Sequence, residues 1–191
     1  QQAADYVATY VNGELQRVED IAYTLLSSKF ASTHRTETGE AYVTIDPERF
    51  TLPSQEEVYH LVSQFLDANP HISGVAVGFE DFVYPENSGF YGTAVYVTNV
   101  GGYKESFHLG RIHDFHKKLW YREAASRDTV FWSEPFQETS NDHVVSCLSI
   151  PLHGYGNRLV GVLALDIDTE KFRQKCHEAA PIAGSSVVIE E

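Results

Sequence analysis

The period of the apolar residues changes at Ile72, and that change sets the fold class. Before Ile72 they recur at helical spacing. From Ile72 onward the spacing is close to two, the signature of half-buried strands. Residues 3–29 carry Val7, Val11, Val18, Ile21, Ala22, Leu25 and Leu26 with polar residues between them. That spacing predicts one helix, interrupted only by Gly13, which costs about 1 kcal/mol against alanine. At roughly 1.5 Å per residue it approaches 40 Å. A helix of that length packs along the whole body or pairs in part with a second copy. Glu14 breaks the heptad and argues against a coiled coil. Residues 31–52 read as a loop with at most one short strand, at Ala41–Ile45. Ser54-Gln55-Glu56-Glu57 is a capping box that opens a second helix. Val58, Leu61, Val62, Phe65 and Leu66 are its apolar face, and Asn69-Pro70 ends it.

Strands follow at Ile72–Phe79 and at residues 90–98, 103–109, 130–136 and 144–152, then at Leu159–Asp168. Turns are read at residues 84–89 and 101–102, and a loop at 139–142. Residues 153–157 close a hairpin. Residues 114–125 carry a helical pattern with Asp114 as a cap. A short helix runs over 169–177, and residues 185–189 read as one more strand. Sequential strands with helices set aside give an α+β class, not an alternating parallel sheet.

The chain has 191 residues, 42% of them hydrophobic and 21% charged. A core of this size buries roughly 70% of the unfolded surface, so disorder is excluded as the main state. The longest apolar run is Leu159 to Leu165. A membrane helix needs roughly 18 such residues. With 27 acidic and 14 basic side chains the net charge is −13. No basic cluster offsets it, which argues against nucleic acid as a partner. Methionine is absent even from position 1, so the sequence reads as a piece cut from a longer protein. The two cysteines, Cys147 and Cys176, read as separate thiols in preference to a bridge.

Nucleotide-loop, nucleophile-elbow, His-Glu-x-x-His and Cys-x-x-Cys motifs are all missing. Three features remain as candidate sites. His108, His113 and His116 fall within nine positions and, with Asp114, offer ligands for a divalent metal. This gives an alternative reading, a small metal-dependent hydrolase. The other reading is hydrogen-bonding histidines at a loop-to-helix junction. Asp166 and Asp168 share one strand face by their i,i+2 spacing. The pair offers a general acid and base, or a strand end that enters solvent, and between these Asp166 offers a pocket carboxylate for a ligand cation; Asp168 reads best as a helix cap. Last, Phe115, Trp120, Tyr121, Phe131, Trp132 and Phe136 lie within 22 positions, beside Lys117 and Lys118. Such a cluster is the wall of a small-molecule site or a seam of the core. The sequence leaves both open. A small zwitterion needs a cation at one end, an anion at the other and an apolar wall between. Lys118, Asp166 and the Trp120/Tyr121 pair are of those three kinds.

The segments Lys118-Leu119-Trp120-Tyr121-Arg122-Glu123-Ala124, Phe131-Trp132-Ser133-Glu134-Pro135-Phe136, Ser149-Ile150-Pro151-Leu152 and residues 159–168 resemble, in that order, the Cache sensor family. These are the PAS-like extracytoplasmic domains of bacterial histidine kinases, chemoreceptors and related transducers. Residues 74–80 with Tyr84-Pro85 resemble the first strand and turn of the versions joined to kinases or phosphatases. The resemblance spans about residues 72–172. It implies a five- or six-stranded antiparallel sheet with a long N-terminal helix on one side. Residues 1–30 would be that membrane-emergent helix, and 31–178 the sensor domain. Residues 179–191 would be a last strand or the start of a second module.

The resemblance also implies a ligand such as an amino acid, amine or carboxylate. No catalytic role for this segment and no cofactor are implied. The family's Arg-x-Trp-Tyr motif, which holds a ligand carboxylate, aligns with Trp120 and Tyr121 and places Lys118 at the arginine position. Lysine there gives a point charge and not a planar two-pronged donor. The family's aspartate for a ligand ammonium aligns with Asp166. Upstream and downstream tyrosine positions hold His113 and Phe136. With Trp132 these residues form the expected ligand site. Membrane tethering through flanking segments and a homodimer in the full receptor are the partners implied.

Overall fold

The computed structural model describes residues 2–29, 32–35, 41–45, 54–83, 93–100, 103–110, 114–138 and 143–179, some of them by backbone alone. The turn read at residues 84–89, the loop at 139–142 and the strand at 185–189 lie outside them, as does His113. Among the described residues four helices accompany one sheet. The helices are α1 (Gln2–Lys29), α2 (Gln55–Ala68), α3 (Leu119–Arg127) and α4 (Thr169–Ala179). The strands are β1 (Ser32–Arg35), β2 (Ala41–Ile45), β3 (Ile72–Phe79), β4 (Thr93–Val100), β5 (Tyr103–Gly110), β6 (Phe131–Trp132), β7 (Phe136–Gln137), β8 (Val144–Gly154) and β9 (Leu159–Asp168). No described helix is long and apolar enough to cross a membrane.

The centre of the sheet is antiparallel, in the order β8-β9-β3-β4-β5. Its first and last long strands, β3 and β9, are therefore neighbours in the middle. On the free edge of β8, β6 and β7 pair antiparallel as one interrupted strand. This completes the six-position antiparallel sheet of an α+β, PAS-like fold. Farther along the same edge β2 runs parallel to β8 over His153 and Gly154, and β1 pairs with β2. The hairpin β1–β2 extends the sheet beyond the single strand expected in that loop.

Each face of the sheet has its own cover. On one face Val75, Val77, Val95, Val97, Leu148, Ile150, Leu163 and Leu165 form the main core. Val18, Ala22, Leu25 and Leu26 of α1, Val58, Val62 and Leu66 of α2, and Phe172 of α4 pack on it. Burying each such side chain is worth about 1.5–3 kcal/mol, so the three helices are fixed mainly by this face. α1 packs on the body of its own chain through Val18, Ala22, Leu25 and Leu26. Glu14, the break in its heptad, is 1% exposed and reaches Lys175 Nζ of α4 at 2.8 Å, with Arg17 on its other oxygen. The charge faces inward because a second helix meets it there.

The opposite face is built from small residues. Gly74, Ala76 and Gly78 of β3, Ala94 of β4, Ala164 of β9, and Cys147 and Ser149 of β8 lie on it by strand alternation. Phe115, Trp120, Tyr121 and Ala124 cover it. The capping box of α2 forms as read, with Glu57 N–H donating to Ser54 Oγ and Ser54 N–H to Glu57 Oε2. The helix read over 114–125 is broken at Lys118, where the backbone turns extended between a single 3-10 turn, Phe115–Lys117, and α3. The strand read over 130–136 is likewise split into β6 and β7 by residues 133–135.

Candidate functional site

β9 presents Asp166 on the small-residue face, paired in register with Gly74 of β3 and Cys147 of β8. Its carboxylate accepts a hydrogen bond from Tyr96 Oη of β4 at 3.0 Å. Tyr96 pairs with Ala76, so its ring crosses β3 diagonally to reach β9. Gly74 makes the crossing possible, because a Cβ there would stand 2.6 Å from the Tyr96 hydroxyl. Ser73 Oγ donates to the Asp166 carbonyl at 3.2 Å, and Thr98 Oγ1 donates to the Ser73 carbonyl at 3.0 Å. Polar contacts of this kind hold the backbone on both sides of the carboxylate.

Burial pushes the Asp166 carboxyl up to about 6, against hydrogen bonds from Cys147 and Tyr96 that pull it down, and Glu138 adds to the rise. Burial likewise raises the Tyr96 phenol and the Cys147 thiol, each reinforced by the Asp166 charge. All three results share one largest cause, burial, which disfavours negative charge at this place. A cationic ligand group would favour that charge.

Trp120 is half-buried and packs on the cluster of Ala76, Cys147 and Ala164, the floor next to Asp166. Its ring lies parallel to that of Phe115, with centroids 6.2 Å apart, and edge-on to Tyr121. Trp120 and Asp166, two residues expected to share a site, therefore border the same floor. Phe136 is exposed and pairs with Val145, two positions from Cys147 on the same face, which puts it at the rim.

Of the other expected residues, Tyr121 stays on this face with its ring 5.4 Å from that of Trp120, and Lys118 and Trp132 are not brought to the floor. Tyr121 is 2% exposed, and its hydroxyl donates to Glu80 Oε1 at 2.5 Å. Glu80 follows the far end of β3, about 20 Å along the strand from Gly74. Burial, with the Glu80 bond second, raises this phenol as well. Lys118 is exposed at the start of α3. Trp132 faces the other way. In the two-residue strand β6, Phe131 packs under α3 while Trp132 joins the main core and donates from Nε1 to Glu19 Oε1 of α1 at 3.1 Å. His113 and the side chain of His108 lie outside the described residues. His116 pairs with Asp114 at 3.3 Å, and no described group of three or more metal-ligating side chains converges.

Asp168 is the cap it was expected to be. Its Oδ1 accepts from Lys171 N at 3.0 Å, and Oδ2 lies 2.8 Å from His143 Nδ1. Cys147 and Cys176 are separate buried thiols on opposite faces of the sheet. Tyr96 was missed in the sequence. Its signal was the alternation Gly74-Ala76-Gly78 on one strand, an emptied face that leaves room for one large neighbour.

Residues 58–174 match the family described as methyl-accepting chemotaxis protein-like, first PDC sensor domain. Solved structures share the fold. The ligand-binding domain of the Campylobacter jejuni chemoreceptor Tlp3, in complex with L-valine, superposes with a TM-score of 0.63 at 14% identity, over 93% of this chain and 61% of that one. The sensory domain of Tlp3 with isoleucine bound gives 0.62 at 15% identity, over 93% and 61%. The extracellular domain of the putative histidine kinase soHK1S-Z6 gives 0.51 at 20% identity, over 68% and 48%. This chain thus spans between about half and three-fifths of those chains. At these identities the likeness is one of fold. None of the curated proteins compared matches the sequence.

Proposed function

The chain belongs to the family of methyl-accepting chemotaxis protein-like first PDC sensor domains, and we propose that it binds a small polar metabolite over the floor between Asp166, Tyr96 and Trp120. The ligand class is that of amino acids, amines and short carboxylates, in keeping with the valine and isoleucine carried by the Tlp3 domain. The domain is extracytoplasmic, tethered to a membrane through flanking segments, and serves a histidine kinase or phosphatase-type transducer as a homodimer. It binds and does not catalyse.

The observation that carries this reading is the Asp166 carboxylate, held by Tyr96 on a floor of small side chains with an indole beside it. A carboxylate on an aromatic-walled floor is a receptor for a cationic group. The route to the long helix is short. Asp166 stands two residues before Asp168, the cap of α4. Lys175 of α4 holds Glu14 of α1, and Trp132 of β6 holds Glu19 of α1. A ligand that favours one arrangement of β9 and α4 thereby shifts α1 by its differential affinity for the two states.

A thermal-shift screen against amino acids, amines and short carboxylates tests it. Ligand at 100 times its dissociation constant adds about 2.7 kcal/mol. For a domain of this size that is a rise of about 5 to 11 °C. The rise must vanish in Trp120→Ala and in Asp166→Asn. A hit that both variants retain would place the site elsewhere.

A further inference from the structure

We propose that Glu14 exchanges partners when His71 gains a proton, so that the seam between α1 and α4 is an acid-operated clasp. The proposal needs no ligand at the Asp166 floor and goes beyond the binding role given to that floor. Glu14 of α1 is buried and carries two cations, Lys175 Nζ of α4 at 2.8 Å and Arg17 on its other oxygen. His71, the residue before β3, is buried at the same seam, with its ring 6.5 Å from that of Phe172 of α4. The charges that act on its imidazole are those of Lys175 and Glu14. Tyr10 of α1 and Cys176 of α4 complete the cluster, each within the field of Glu14. From the sheet, β9 meets His71 through the backbone, where Asp168 N–H donates to the His71 carbonyl at 2.9 Å.

Exposure decides which cation leaves. A neutral imidazole suits a place that already holds one carboxylate and two cations. A proton on it makes three cations for that carboxylate. Lys175 is 37% exposed and can swing its ammonium into water. His71 is held by its backbone bond to Asp168 and cannot follow. A charge fixed inside the protein must be paired where it stands, and Glu14 is the acid that acts on it. Burial raises the Glu14 carboxyl, but Lys175 and Arg17 outweigh it and hold it below the usual range. Burial, then the Lys175 charge, lowers His71 to about 4. Glu14 is therefore still ionised when His71 takes up its proton. The bridge from α1 to α4 then becomes a bridge from α1 to the root of β3, and α4 is released along that side. The two arrangements differ in their affinity for a proton, which is the ligand that shifts them. Because Asp168 both bonds the His71 carbonyl and caps α4, the exchange acts on α4 from its first turn as well.

Cys176 reports the clasp, because it is buried on α4 beside Lys175. A pyridyl disulfide reagent, which reacts with thiols in acid as well as at neutral pH, would label the ligand-free protein at about pH 4 and about pH 7. Mass spectrometry of the Cys176 peptide separates this thiol from Cys147, and each rate is divided by that of the urea-unfolded chain at the same pH. Cys176 should label about tenfold or more faster in acid by this ratio. His71→Gln should abolish the acid response. If that variant does not fold, Glu14→Gln serves, since it leaves no carboxylate to exchange and should give the fast rate at both pH values. Asp166→Asn should keep the acid response, which separates it from the carboxyl that titrates at about 6. A Cys176 rate ratio that does not change with pH in the wild type would overturn the proposal. So would an acid response that His71→Gln retains, or one that Asp166→Asn removes. None of these results bears on ligand binding at the floor.

Discussion

The Tyr96 hydroxyl reaches Asp166 Oδ2 at 3.0 Å from two strands away, passing over Gly74. β4 and β9 do not pair, and β3 lies between them. The contact exists because β3 presents no side chain at the crossing point. A candidate site is made here by what a central strand omits, and the omission is readable in the numbering, with Gly74, Ala76 and Gly78 all on one face.

Gly74→Ala should separate this contact from stability. The new Cβ would meet Tyr96 Oη, Cε2 and Cζ at 2.6 to 2.9 Å. Those atoms are the far end of a side chain, which can swing away. The expected result is loss of the Tyr96–Asp166 bond, worth about 1 to 2 kcal/mol, with ligand affinity changed to match. Gly78→Ala is the contrast. Its Cβ would meet the buried Phe115 ring at 2.8 Å and Ala94 Cβ at 3.2 Å. Overpacking at such a place costs about 1 to 3 kcal/mol. Urea melts of both variants, read beside a ligand titration, check the distinction. Equal destabilisation of the two would show that Tyr96 cannot move.

Asp166→Asn should stabilise the ligand-free protein at neutral pH while it removes ligand affinity. The folded carboxyl titrates at about 6, above its ordinary 3.8. The folded state therefore holds the proton more tightly than the unfolded chain. Its contribution is full below about pH 4, falls as pH rises toward 6, and stays lost above. Asparagine has no such loss. At pH 7 the variant should gain about 1 to 3 kcal/mol over the wild type, and near pH 4 the gain should disappear. Denaturant melts at the two pH values decide it. A variant less stable at pH 7 would mean that Asp166 is already neutralised by a cation.

The order of the elements and the two central strands were legible in the sequence. Ile72–Phe79 and Leu159–Asp168 came out with their observed bounds, because each is a strand-patterned apolar stretch with a marked end, Asn69-Pro70 before the first and the Asp168 helix cap after the second. Asp166 and Trp120 were legible as partners of one floor. Trp132 and Tyr121 were not separable from them, since closeness in sequence hides face. Trp132 follows Phe131 in a two-residue strand and so takes the opposite side. Tyr121 follows Trp120 on a helix and is turned about 100° from it. The inward charge of Glu14 was legible only as a broken heptad, because its partner Lys175 lies at the other end of the chain.

That pair is testable as a coupling between the first and last helices. Burial pushes the Glu14 carboxyl up, but Lys175 and Arg17 outweigh it and hold it below the usual range. Glu14→Gln and Lys175→Met, made singly and together, form a double-mutant cycle. Lys175 is 37% exposed, which screens the pair and limits the expected coupling energy to about 1 to 2 kcal/mol. Strictly additive effects would show that α1 and α4 are held by apolar packing alone.

His71 should give the opposite pH slope to Asp166 over nearly the same range. It is 7% exposed at the entrance to β3, and its ring lies 6.5 Å from that of Phe172. Burial, then the Lys175 charge, lowers its titration from 6.5 to about 4, against a smaller upward pull from Glu14. The folded state therefore disfavours the proton. Stability from this group is full above about pH 6.5 and lost as pH falls toward 4, where it amounts to about 3 kcal/mol. Asp166 gains stability over the same descent. The two slopes oppose each other in the wild type, so its melts should change little between pH 4 and 6 on their account. Asp166→Asn should uncover the loss on the acid side, and His71→Gln should uncover the gain. Lys175→Met should move the His71 titration upward, because the second cause of its depression is gone. Proton NMR of the His71 ring reads that shift directly. A His71 that titrates near 6.5 in the folded wild type would mean that water reaches its ring, and the acid-side loss would then be absent.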